Sequence, residues 1–234
     1  MGKEPLILHI ETATEVCSVA LSLGNELVAN EEIKNGFSHA ENLLPLVDKL
    51  LKSQNYQSYD LDAIAISEGP GSYTGLRIGA STAKGLCYAL EIPLIAISTL
   101  ESIARGAQRD LNDFQALICP MIDARRMEVF TALYAPNFNV IESPKALVVD
   151  ENCFQDSLSA HKLIFCGDGM PKCQSLLSHH PNAMFSFAPL SSQNMIPIAY
   201  SKYKQKQFVD VAYFEPFYLK NYMAKKSIVK GLYS

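Results

Sequence analysis

A chain of 234 residues, 48% hydrophobic and 19% charged, is long enough for one large domain or two small ones, each with its own core. A net charge of −4 argues against the broad basic surface of an autonomous nucleic-acid binder, though not against work on RNA inside a complex. No apolar run reaches the roughly 18 residues that cross a bilayer, and Met1-Gly-Lys-Glu-Pro5 lacks a signal peptide's apolar core, so a cytoplasmic protein is expected.

Leu6 to Ile10 is strand-like, and Glu11 to Glu15 a polar turn. Two more strands follow, Cys17 to Leu23 and Glu26 to Ile33, joined at Gly24-Asn25. Ser38 with Glu41 reads as a capping box opening a helix to Leu51, whose apolar face includes Leu43 and Leu46. Pro45 predicts a kink or break in its first turns. Leu61 to Ser67 is a buried strand that Gly69-Pro70-Gly71 stops. Ser72 or Thr74 then caps a helix to Leu90 in which Gly75, Gly79 and Ala83, four apart, share one smooth face. The glycine-rich corner admits two readings, close helix packing or phosphate binding at a helix start. A strand at Pro93 to Ile97 and a helix opened by Ser98, again boxed by Glu101, end the first half.

The second half repeats the order. Ala116 to Ile122 is a strand, Asp123 to Arg126 a polar turn, Met127 to Tyr134 a strand, and Val140 to Val149 another. A helix over Asp150 to Ser159, a strand over Lys162 to Cys166, the turn Gly167-Asp168-Gly169, a helix from Pro171, a strand near Met184 to Phe187 and a helix from about Gln193 complete it. The pattern suggests a duplicated β-β-β-α-β-α unit, with lobes at 1–110 and 111–234. The six cysteines form no C-x-x-C pair and sit mostly among apolar neighbours, which predicts reduced, buried thiols and no zinc site. The tail from Val211 sets lysines, Lys220 among them, beside Tyr213, Phe217, Tyr218 and Tyr222; a packed terminal arm is preferred to an RNA contact.

Four segments in order, Ile7 to Leu21, Ser38 to Pro45, Gly69 to Gly79 and Ile122 to Arg126, resemble the TsaB (YeaZ) family. The tail Glu215-Pro-Phe-Tyr-Leu-Lys220 does too, with lysine where arginine is usual. The resemblance implies an α/β, actin/Hsp70/sugar-kinase-like fold of two ribonuclease-H-like lobes. It implies a role in making N6-threonylcarbamoyladenosine (t6A) in tRNA, supporting the transferase subunit TsaD, with the ATPase TsaE joining the complex and tRNA reached through it. A homodimer is the alternative pairing.

In active TsaD-type relatives a H-x-E-x-H segment holds a metal; aligned here it reads Thr99-Leu-Glu101-Ser-Ile103, keeping only Glu101. Neither metal nor catalytic residues are therefore expected, and no cofactor on this chain alone, with ATP used by the complex. His39 has Leu43 four residues on, where a second ligand would stand. A vestigial nucleotide site would comprise Glu11, Thr12, Asp123, Gly167 and Gly169, although the two hairpin turns keep the acid and lack the glycine that phosphate-binding turns use. Arg125 and Arg126 would attract phosphate or pair with acids such as Glu128. The family pairs its first two helices with TsaD, which puts Gly75, Gly79, Ala83, Leu43 and Leu46 forward as partner-binding residues. An active small-molecule kinase or ATPase, with Glu11 and Asp123 facing a metal, is the alternative; a metallopeptidase is disfavoured by the absent histidines.

Overall fold

The structure, a computed structural model, describes residues 3–34, 39–111, 115–187 and 190–220. The first half runs β1 (Leu6–Glu11), β2 (Cys17–Leu23), β3 (Glu26–Ile33), α1 (His39–Ser53), β4 (Ala63–Gly69), α2 (Tyr73–Leu90), β5 (Leu94–Ser98) and α3 (Thr99–Leu111). The second runs β6 (Leu117–Asp123), β7 (Glu128–Tyr134), β8 (Val140–Val148), α4 (Gln155–Ala160), β9 (Leu163–Cys166), α5 (Met170–Leu177), β10 (Ala183–Ser186), a 3-10 turn at Ser192–Met195 and α6 (Ile196–Lys204). The sheets are ordered β3-β2-β1-β4-β5 and β8-β7-β6-β9-β10, so the two halves share one topology. In each, two antiparallel pairs lead into parallel ones, as helical crossovers require.

All six residues of β1 are buried because helices cover both faces of its sheet. Leu6, Leu8 and Ile10 face a core shared with Leu43, Leu46, Leu50 and Ala83 of α1 and α2. Ile7 faces the other way, onto Met195, Ile198 and Ala199. The period-two alternation therefore serves two cores at once. In the second lobe Ile118 and Ile122 meet Leu100, Ile103 and Ala104 of α3, while Cys119 and Met121 meet Cys173 and Leu177 of α5. The cysteines are free, and all but half-buried Cys153 are buried.

Several local expectations are revised. The helix around Pro45 continues unbroken from His39 to Ser53, and Ser38, its expected cap, lies outside the described residues. Ser72 is the N-cap of α2, accepting the Gly75 N–H at 3.3 Å. Ser98 accepts the Glu101 N–H at 3.5 Å, but the Glu101 carboxylate turns to Arg105 at 2.9 Å, one helical turn on, so the second capping box is only half formed. The helix expected from Asp150 begins at Gln155, after Phe154 in a left-handed conformation.

The chain after Ser191 returns to the first lobe. Ser192 meets Ser18 of β2, hydroxyl to hydroxyl, at 2.7 Å, and α6 lies on the first sheet. Val209 bridges Leu94, Phe214 joins the first core, and Lys84 of α2 donates to the carbonyls of Ala212 and Phe214, both at 3.0 Å. The Phe217 N–H donates to Glu68 O at 2.7 Å, and Lys220 then pairs with Glu128 on β7. Residues 191–217, assigned with the second lobe by chain order, pack on the first, and 217–220 strap one lobe to the other.

Candidate functional site: the paired hairpin turns

Each lobe opens with a β-hairpin whose first strand ends in an acid, Glu11 or Asp123, and Asp168 interacts with both. Asp168 accepts the Asp123 N–H at 3.0 Å, and its charge acts on Glu11 of the first lobe. Glu11 is fully buried at the end of β1. Its Oε1 accepts the Ala13 N–H at 2.7 Å and the Ser67 hydroxyl at 2.8 Å, while Oε2 has no hydrogen-bond partner among the described residues. Burial, chiefly, pushes its pKa up to about 7, with Asp168 adding to the rise. Burial raises Asp168 as well; the Asp123 N–H it accepts offsets part of that rise, and the Asp123 charge adds a smaller increase. Asp123 itself is exposed and pairs with Lys172 of α5 at 2.7 Å.

The first turn is packed solid against α2. The Thr12 hydroxyl donates to Gly75 O at 2.9 Å. A Cβ built on Gly75 would lie under 3.0 Å from Thr12 O, and one on Gly79 equally close to Thr12 Oγ1. Ala13 O, beside them, accepts the Ser72 N–H at 2.7 Å. Thr12, read as part of a nucleotide site, and Gly75 and Gly79, read as partner-binding, are thus two sides of one internal contact. Ala83 has no exposed surface, and Leu43 and Leu46 are buried in the same lobe's core. The smooth face of α2 admits its own lobe's first turn, and these five residues are not a surface that a partner reaches. Ala83→Arg should accordingly fail to fold, losing about 3 kcal/mol or more from a buried unpaired charge and overpacking; circular dichroism checks this.

In the second turn the Asp123, Ala124 and Arg125 donors are engaged within the protein. The Ala124 N–H bonds to Glu128 O at 3.1 Å and the Arg125 N–H to Asp123 Oδ1 at 2.5 Å. Gly167, at φ +90°, lies against Met121 O, and Gly169 against Ile122 and Val129 of the second sheet. Both glycines let the turn before α5 approach the sheet closely, a packing role rather than an open ligand wall. Arg125 and Arg126 do not pair with Glu128, which Lys220 takes instead. Phosphate cradles need free N–H groups aimed at the anion. The residues here do not fit one: the Asp123 donor is spent on Asp168, Ala124's on Glu128 O and Arg125's on Asp123 Oδ1, as Ala13's is on Glu11 in the first turn. No group of three or more His, Cys, Asp or Glu able to hold a metal occurs among the described residues. Lys172 and Asp168, which hold Asp123, are invisible to local sequence patterns because they lie 49 and 45 residues from it; only the Gly-Asp-Gly turn marks the neighbourhood.

Two sheets of one topology, each flanked by helices and linked by α3, the chain after Ser191 and the strap to Glu128, define an actin-like and sugar-kinase-like fold. At 10% identity the activator of 2-hydroxyisocaproyl-CoA dehydratase from Clostridium difficile, with bound ADPNP, shares this fold with a TM-score of 0.52, over 86% of this chain and 97% of that one. YeaZ from Pseudomonas aeruginosa superimposes with a TM-score of 0.78 at 26% identity, over 92% of this chain and 100% of that one. The family model described as "TsaD: tRNA N6-adenosine threonylcarbamoyltransferase" matches residues 34–232. The tRNA threonylcarbamoyladenosine biosynthesis protein TsaB of Escherichia coli (strain K12) is 34% identical over 95% of this chain and 97% of its own length. The chain belongs to the TsaB (YeaZ) family, whose role lies in t6A biosynthesis. No helix among the described residues is long and apolar enough to cross a membrane.

Proposed function

We propose that this chain is a non-catalytic subunit of the t6A-synthesis complex that binds and supports TsaD, in the cytoplasm, with TsaE and tRNA engaged through that complex and ATP used there. One observation carries the reading: the turns where an actin-like kinase would cradle phosphate spend the Ala13, Ala124 and Arg125 backbone donors internally, and Gly75 and Gly79 are closed onto Thr12. The chain keeps the fold of a nucleotide-binding protein and has filled its phosphate turns with internal packing. The kinase alternative would need these hydrogen bonds to open.

With the small face of α2 inside the lobe, docking falls to the outer faces of the same helices. Leu44 of α1 is 53% exposed, and Arg77, Ser81, Gly85 and Tyr88 line the outside of α2. A standard interface covers about 800 Å² per partner, within reach of two helices of this length. Ser81→Arg leaves the core untouched, so it should keep its circular dichroism and lose TsaD in gel filtration. Depletion of the protein in its native cell, followed by nucleoside analysis of its tRNA, tests the wider reading: t6A should fall, and unchanged t6A would overturn it.

A further inference from the structure

We propose that the edge formed by the Arg125–Arg126 hairpin tip and the strap Tyr218–Lys220 is a contact surface for single-stranded RNA, rather than inert surface. This rests on the reading that the chain works in tRNA modification and adds a direct contact to it. The two arginines sit side by side at φ +70° and +49°, the left-handed region that residues with a Cβ avoid. The turn is held there by the Asp123 carboxylate on the Arg125 N–H and by the paired Ala124–Glu128 and Glu128–Arg125 backbone bonds. Strain of this kind persists where the surroundings over-determine it, and it is concentrated at working sites. Its effect is to aim two exposed guanidinium groups outward, and no described residue forms an ion pair with either. The acids nearest in the turn are already matched, Asp123 by Lys172 and Glu128 by Lys220, so the tip stays cationic on a chain whose net charge is −4.

Beside the tip the strap supplies aromatic surface. The rings of Tyr218 and Tyr73 lie 4.9 Å apart, tilted by 40°. Arg77 sits 5.4 Å from the Tyr73 ring centroid and donates to the Tyr73 hydroxyl at 3.3 Å. Lys220, two residues after Tyr218, reaches Glu128 at the base of the arginine hairpin, so the strap ties the aromatic pair to the cationic tip. Cations interleaved with ring faces are the chemistry that tracks a phosphate backbone and stacks unpaired bases. An acidic protein surface would use the arginines without needing the rings, which is why RNA is favoured.

The test measures binding of an anticodon stem-loop RNA to the full chain, alone and reconstituted with TsaD, by fluorescence anisotropy over a salt series. Arg125→Ala with Arg126→Ala should weaken binding about tenfold at low salt and reduce the slope of log K against log salt by about 1.4, two single-strand phosphate contacts. Tyr218→Leu should weaken binding while leaving the slope unchanged, and Arg125→Lys with Arg126→Lys should restore most of the slope. Unchanged affinity and slope in a folded double-alanine variant would overturn the proposal, as would absence of RNA binding by the wild-type chain in both settings. Loss of TsaD in gel filtration with RNA affinity intact would make the tip a protein contact and overturn it equally. If depletion lowers t6A and the double-alanine variant restores it fully, this inference alone fails; if depletion leaves t6A unchanged, the functional reading beneath it fails.

Discussion

Gly75→Ala is expected to destabilise the protein by about 1–3 kcal/mol, against the sign that helix propensity alone would give. Replacing glycine by alanine inside a helix ordinarily stabilises by up to about 1 kcal/mol. Here the new methyl would lie under 3.0 Å from Thr12 O, a backbone atom, with His39 packed beside it. The turn that carries Thr12 cannot retreat without losing its hydroxyl bond to Gly75 O and the Ser72-to-Ala13 bond. Gly79→Ala should cost less, because its nearest neighbour is the Thr12 side chain, which can rotate. Gly85→Ala is the internal control: nothing lies within 4 Å of its Cβ, so propensity should win and the helix gain about 0.5–1 kcal/mol. At about 2–4 °C per kcal/mol for a chain of this size, thermal melts separate the three. A Gly75→Ala protein as stable as Gly85→Ala would remove the close contact from the account of the fold.

The second large effect concerns pH. Glu11 has its folded-state pKa raised from 4.5 to about 7, chiefly by burial. A raised pKa means that the folded state prefers the protonated carboxyl. The stability it permits is fully present below pH 4.5 and is lost as pH rises through about 7. The difference of about 2.5 units corresponds to about 3 kcal/mol, of order 6–12 °C in melting temperature. Glu11→Gln keeps an oxygen for the Ala13 N–H and the Ser67 hydroxyl and cannot ionise. Its melting temperature should rise relative to the wild type's between pH 5 and pH 7 and stand higher than the wild type's at pH 8. Buried His9 works in the opposite sense: burial lowers its pKa to about 3, so its share of stability is present above pH 6.5 and falls away below it. A Glu11→Gln advantage over the wild type that does not grow between pH 5 and pH 8 would contradict the Glu11 assignment.

Much of the fold was legible in the chain because its signals are local. The apolar run Leu6 to Ile10, the β-prone runs on either side of Gly24-Asn25, and the repeated order of elements in the second half are all short-range signals. The family segments reinforced them, and the matching strand orders of the two sheets bear out the duplication. Pro45 was misread as a break because its missing N–H and ring are local penalties, whereas Leu43, Leu46, Val47 and Leu50 hold that helix against the sheet.

The candidate site was legible as residue types and illegible as geometry. Spacing alone revealed that Gly75, Gly79 and Ala83 share a helix face, but both an internal contact and a docking surface call for small residues there. The choice was made by Thr12, 63 residues earlier in the chain, whose hydroxyl and carbonyl occupy that face. Likewise the acids Glu11 and Asp123 were visible in sequence, while the difference between them, one fully buried and near neutrality in its titration, the other exposed and paired with Lys172, depends on how the lobes and α5 close around them. Periodicity and turn chemistry act over a few residues and so can be read from the chain itself. Burial, the consumption of backbone donors and the pairing of charges depend on which distant segments meet, and for this protein only the tertiary structure decided them.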